Sequence, residues 1–162
     1  MLNTAASRFR FIAHALNGDG PFRPVVTTGA SGSVVSVTSS YLVRYPRESE
    51  EKFARRNELA FYASPLWQTT SRFVGYLTEQ PPVRDLPHPL YKSIEENADG
   101  KGNSLDVFWQ SFMLNAKARG TMLLLVDMPP QLPPSLAGQL QNRAAPYLTQ
   151  IAPELVTEYE IA

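Results

Sequence analysis

The stretch "GKGNSLDVFWQSFMLNAKARGTMLLLVD", residues 100–127, decides the fold. Leu105, Phe108, Trp109, Phe112, Met113 and Ala116 recur at i, i+3, i+4, i+7, i+8 and i+11, the period that puts apolar side chains on one face of a helix. We read Leu105, Phe108, Trp109, Phe112 and Met113 as core. Ser104 stands where an N-cap belongs, and Gly120 suits the left-handed residue that ends a helix, with Lys117 and Arg119 in the last turn where cations are favoured. "TMLLLVDM" follows at once, a short continuous apolar run of the kind found in strands buried on both faces. Leu124 and Val126 therefore join the expected core. Upstream, Gly100 and Gly102 supply the positive φ angles of a tight turn between two helices, and Asn103-Ser104 opens the second.

The turn has a rival reading as a calcium loop, which would make the chain a small calcium-binding regulatory module using residues 95–106. In a twelve-position frame Glu95, Asn97 and Asp99 fall at positions 1, 3 and 5, Gly100 at 6 and Asp106 at 12. Position 1 is ordinarily aspartate and position 12 glutamate, whose longer arm clamps the ion with both oxygens. Here the two are exchanged, Gly102 takes a position usually held by an aliphatic residue, and Lys101 sets a cation beside the ion. A phosphate loop fits less well, because "DGKGNS" lacks the GxxxxGK[ST] spacing and no buried strand precedes it. The structural turn is the better reading.

Working outward, "LNTAASRFRFIAHAL" predicts a short helix ended by Asn17-Gly18, and the glycine, serine, threonine and valine-rich segment 18–46 predicts short strands within an extended, mildly basic arm. A helix is expected from Ser49, with Glu48→Lys52 and Glu51→Arg55 ion pairs and Phe53, Ala60 and Phe61 inward. Ser64-Pro65 opens another, with Leu66, Phe73 and Leu77 on its inner face and Gln80-Pro81-Pro82 as its stop. "PLYKSIEEN" and "LAGQLQNRA" predict short helices, and "PYLTQI" and "VTEYEI" strands. The fold class is α+β: a mostly helical middle with a small sheet, preceded by an extended amino-terminal arm. We divide the chain at residues 1–45 and 46–162.

Lysine plus arginine equals aspartate plus glutamate at 15 each, so no global field draws the chain to nucleic acid or to an anionic membrane. Residues 1–56 hold eight basic and four acidic side chains, so any DNA contact is local. There is no cysteine, which excludes disulfides and thiolate metal sites. The run Met122–Val126 is far short of the roughly 20 apolar residues of a membrane helix, and the start lacks a secretory apolar centre; we expect a soluble, intracellular chain. His14 and His88 have no neighbouring acid and nucleophile in a recognisable pattern. Asp127, at the end of the apolar strand, stands where α/β enzymes place ligand-binding residues, but "DMPP" reads as a turn. Arg8, Arg10, Arg23, Arg44 and Arg47 are scattered. We expect no catalytic residue, metal or cofactor.

Four pieces in order, "YLVRYPRESEEKFARRNELAFY", "SRFVGYLTEQPP", "NADGKGNSLDVFWQSFMLNAKARGTMLLLVDMPP" and "APYLTQIAPELV", resemble the amino-terminal part of tailed-bacteriophage portal proteins, the head-to-tail connectors. The resemblance covers roughly residues 41–155 and the wing-like part only, since portal proteins continue through stem, clip and a second half of the wing. It implies a structural virion protein, not an enzyme. Such subunits form a usually dodecameric ring at one capsid vertex, and the genome is packaged and ejected through it. Implied partners are capsid or scaffold proteins, the terminase motor, tail adaptors, and double-stranded DNA held weakly and without sequence preference. Implied locations are the host cytoplasm during assembly and then the virion. No membrane partner is implied.

Overall fold

A computed structural model describes residues 5–28, 34–38, 40–85, 87–131, 133–141 and 144–156. The fold is α+β, with six helices and two antiparallel two-stranded sheets among the described residues. Contacts gather into two compact units, Met1–Gln68 and Thr69–Ala162.

The first unit begins with α1 (Ala5–Asn17), ended by Gly18 at φ 67°, whose N–H donates to the His14 carbonyl. Beyond a 3-10 turn at Gly20–Phe22, strands β1 (Val25–Thr28) and β2 (Val34–Thr38) pair antiparallel, with a bulge between Thr27 and Thr28. Helix α2 (Glu50–Leu59) packs on this hairpin. Ser49 caps it by accepting from the Lys52 N–H, as its position predicts. The expected charge pairs are replaced. Glu48 holds Arg56 at 2.7 Å and Arg55 holds Glu58, because residues 43–48 fold back along α2 and put Glu48 beside the second turn. Arg56 also lies over the Tyr45 and Phe53 rings, 4.7 and 5.4 Å from their centres.

The inner face of α2 is also corrected. Ala54 and Asn57 are buried, Phe53 is half-buried, and Ala60 and Phe61 are exposed, since the helix ends before the last two. Buried Asn57 is satisfied, accepting from the Ser40 hydroxyl and donating to the Phe53 carbonyl. Phe11, Phe22, Tyr41 and Tyr62 form a cluster, with Phe22 and Tyr62 stacked at 4.0 Å. The units divide at Gln68–Thr69 rather than at 45–46. Two observations account for it: α2 packs on the hairpin, and the Tyr62 and Ser64 hydroxyls donate to the Ala15 carbonyl of α1.

Helix α3 (Pro65–Leu77) crosses that division. Ser64 does more than precede the proline: its hydroxyl reaches the Ala15 and Leu16 carbonyls, satisfying acceptors at the end of α1. Farther along, Thr70 and Val74 are buried while Phe73 and Leu77, expected inside, are exposed. The contact face is the narrower Thr70–Val74–Thr78 row, four residues apart.

In the second unit come α4 (Pro89–Glu96), α5 (Leu105–Arg119), β3 (Leu123–Asp127), α6 (Leu136–Gln141), β4 (Tyr147–Ile151) and a 3-10 turn at Pro153–Leu155. Helix α5 has the expected termini. The Ser104 hydroxyl accepts from the Val107 N–H, and Gly120 at φ 81° donates to the Ala116 carbonyl. Phe108 is buried, while Leu105, Trp109, Phe112 and Met113 are half-buried. Trp109 meets Phe112 edge-on at 5.3 Å.

Strand β3 forms where expected and pairs with β4, Leu123 opposite Ile151 through Asp127 opposite Tyr147. Its burial is not as expected. Leu123, Leu124, Leu125 and Val126 are 38%, 38%, 46% and 62% exposed, so Leu124 and Val126 are not core. An apolar run implies burial only where other layers cover the sheet, and β3 packs closely on no described element except β4. The strand expected over 156–161 lies outside the described residues from 157 on.

A polar tie joins the end of α5 to the turn after β4. Arg119, its side chain 7% exposed, contacts both carboxylate oxygens of Glu154 at 3.0 to 3.3 Å and donates to Asn115. Removing one partner strands a buried charge, so Glu154→Ala is expected to lower stability by about 3 kcal/mol. Urea unfolding followed by Trp109 fluorescence in a Trp67→Phe background measures it. A change under about 0.5 kcal/mol would mean that the pair is solvated.

Candidate functional site

Of the residues singled out in the sequence, Asn97, Asp99, Gly100, Gly102 and Ser104 lie together at the turn, and Gly120, His14 and His88 lie elsewhere. Gly100 and Gly102 stand at φ 71° and 99°, where a side chain is strained. At Gly102 no atom lies within 4 Å of an added Cβ, and at Gly100 the nearest is ordinary contact with Tyr147 at 3.8 Å. Backbone angle, not space, therefore requires the glycines. Asp99 organises the bend: one carboxylate oxygen accepts from the Lys101 and Asn103 amides at 2.9 and 3.2 Å, the other from the Asn103 side chain at 2.6 Å. Asn97 accepts from the Gly102 N–H. Partial burial pushes Asp99 upward, but the hydrogen bonds from Asn103 and Lys101 outweigh it and hold the carboxyl below its usual range. Ala98, wholly buried, donates to the Asn103 carbonyl and accepts from the Leu148 N–H of β4, both at 2.7 Å.

The end positions of the calcium frame face a cation that belongs to the protein. Arg84, from the proline-rich bridge, binds Asp106 and stands 3.6 Å from Glu95. The Asp106 and Glu95 carboxylates raise the Arg84 pKa further. With Asn97 and Asp99 bonded to the turn's own N–H groups, the oxygens of the frame point to protein donors rather than toward a common centre. Among the described residues no group of three or more acidic or histidine side chains could hold a metal.

Beside Arg84 runs a groove of about 480 Å³ whose lining includes Pro81, Pro82, Asp106, Trp109 and Met113. The Asp127 carboxylate accepts from the Tyr147 hydroxyl at 3.0 Å and from the Met128 N–H at 2.8 Å, so it closes the strand end as a turn former. That bond, with some burial, raises the Tyr147 pKa. His14 is half-buried and bonded to the Tyr41 hydroxyl at 3.0 Å, and exposed His88 packs near Tyr91. Arg8, Arg10, Arg23 and Arg47 are exposed and Arg44 pairs with Glu50. No described helix is long and apolar enough to cross a membrane.

Sequence reasoning missed Arg84, Ala98, Tyr147 and Glu154. Each acts through a partner far along the chain, and no local pattern marks such pairs. No protein-family model, curated protein or solved structure matches the chain.

Calorimetric titration with calcium is expected to give no saturable heat; saturation that Asp106→Ala removes would restore the calcium loop. The pH dependence follows from Asp99. Its folded carboxyl lies below the unfolded value, so its contribution to stability is present above the unfolded value and is lost as pH falls through the folded one. Asp99→Ala should therefore flatten the acid limb of the stability curve measured by urea unfolding. An unchanged acid limb would show that the turn does not depend on this carboxylate.

Proposed function

We propose that the chain is a structural component of a phage head, similar to the wing-like part of a portal protein. In this reading it acts through protein contacts, in or against the ring at the capsid vertex through which the genome is packaged and ejected. Capsid or scaffold proteins, the packaging motor and tail adaptors are its partners, and double-stranded DNA passes with weak, sequence-independent contact. Equal numbers of acidic and basic side chains suit that passage, since strong phosphate binding would arrest a sliding polymer.

One observation carries the reading. The apolar side chains are placed for partners more than for an interior: among the described residues no large side chain is fully buried, while β3 and Trp67, Tyr76, Val83 and Phe61 are exposed. The contiguous exposed apolar run Leu123–Val126 is the kind of surface that supports a site of protein contact. The exposed strand no longer supports the resemblance as a buried element would; its support lies in the order of the motifs, the turn and the capped helix. The purified chain, examined by native mass spectrometry and negative-stain electron microscopy, is expected to form closed rings. A monomer at every concentration, with no ring, would overturn the proposal.

A further inference from the structure

Among the described residues the second sheet has an open edge whose hydrogen-bonding groups can be assigned. Because the Leu148 N–H points to Ala98, Leu148 and the residue opposite it, Val126, form a non-hydrogen-bonded pair. Alternation makes Leu124 and Gln150 another. The N–H and C=O groups of Leu124 and Val126 therefore point away from β4, and no described backbone group meets them. On the far side of the sheet, the 97–103 turn already covers β4 at Leu148.

Protein edges are ordinarily protected by a bulge, a proline, a lysine or a covering element. The β1–β2 hairpin has such a bulge between Thr27 and Thr28. Strand β3 has none: its pairing with β4 shows no shift from Leu123 to Asp127, and its sequence is LLLVD. Its one charge lies at the end and is held by Tyr147 and Met128 of its own chain.

We propose that the outer edge of β3 pairs with the same edge of a second copy, antiparallel and centred on Leu125, giving a four-stranded sheet in the order β4, β3, β3, β4. In this register Leu124 of each copy lies opposite Val126 of the other, and their N–H and C=O groups form four backbone hydrogen bonds. The two Leu125 residues face each other as a non-hydrogen-bonded pair. Charge selects the direction. Antiparallel pairing sets each Asp127 opposite a leucine, Leu123, whereas parallel in-register pairing would set the two Asp127 carboxylates side by side.

Area sets the strength. The exposed fractions of Leu123 to Val126 leave on the order of 350 Å² of apolar strand surface per copy. Edge pairing covers only the flanks of these side chains, so two copies bury at most roughly 700 Å², below the ~1,200 Å² at which specific stable interfaces begin. The dimer is therefore weak and reversible. This contact stands on the strand edge and does not require the ring.

The absence of cysteine makes the register directly testable. In the full chain carrying Leu125→Cys, the facing residues lie about 4.5 Å apart between Cα atoms, within disulfide range. An added oxidant should take two electrons and two protons from the thiol pair and leave a covalent dimer on a non-reducing gel. Leu123→Cys is the control, since its two copies are about 14 Å apart in this register and should stay monomeric. Adding Val126→Pro to Leu125→Cys removes an outward N–H while leaving the bonds of Leu125 and Asp127 to β4, and should cut the cross-link yield at least tenfold. Equal cross-linking at 123 and 125, or no cross-link at 125 at 1 mM, overturns the pairing. Rings without a Leu125→Cys dimer would overturn it while leaving the assembly reading in place, and a dimer without rings would do the reverse.

Discussion

The second unit depends on one buried residue with almost no side chain. Ala98 closes the glycine turn through its N–H and holds β4 through its carbonyl, and it is completely shielded from water. A buried backbone group left unpaired is costly, so these two bonds require the turn and the strand to keep one mutual position. The glycines at 100 and 102, the side chains of Asn97 and Asp99 and the cap at Ser104 all serve the bend that Ala98 starts. Opposite Leu148, β3 is then placed by the ladder.

Around that point the unit is tied together by polar contacts more than by a large interior. Arg84 joins the proline-rich bridge to the start of α5 and the end of α4, and Arg119 joins the end of α5 to Glu154. Only the Arg119–Glu154 pair is shielded on both sides; such a pair adds little net stability against apolar replacements, yet breaking it is expensive, whereas the half-exposed carboxylates facing Arg84 leave a pair that defines geometry more than it stabilises. The apolar surface that an interior would have consumed stays outside, on β3 and on the outer face of α3. A protein built this way has its helix caps and turns fixed locally while part of its apolar surface stays exposed.

Local chemistry was legible. Ser49 and Ser104 cap because a hydroxyl at that position meets a free N–H two or three residues on, and Gly100, Gly102 and Gly120 take the left-handed angles that only glycine adopts without strain. The period of α5 placed Phe108 inside. What failed was burial. Phe61, Phe73, Leu77, Leu124 and Val126 were expected inside on grounds of hydrophobicity and spacing, and all five are exposed.

The sequence by itself determined the helices, the caps at Ser49, Ser104 and Gly120, the glycine turn and the existence of the apolar strand, because each rests on interactions within a few residues of the chain. Only the tertiary structure decided that Arg84 faces Asp106, that Arg119 faces Glu154, that Ala98 meets Leu148, and that among the described strands β3 pairs with β4 alone. The reason is physical: hydrophobicity states what a side chain gains if it is covered, but whether anything covers it depends on how distant segments pack.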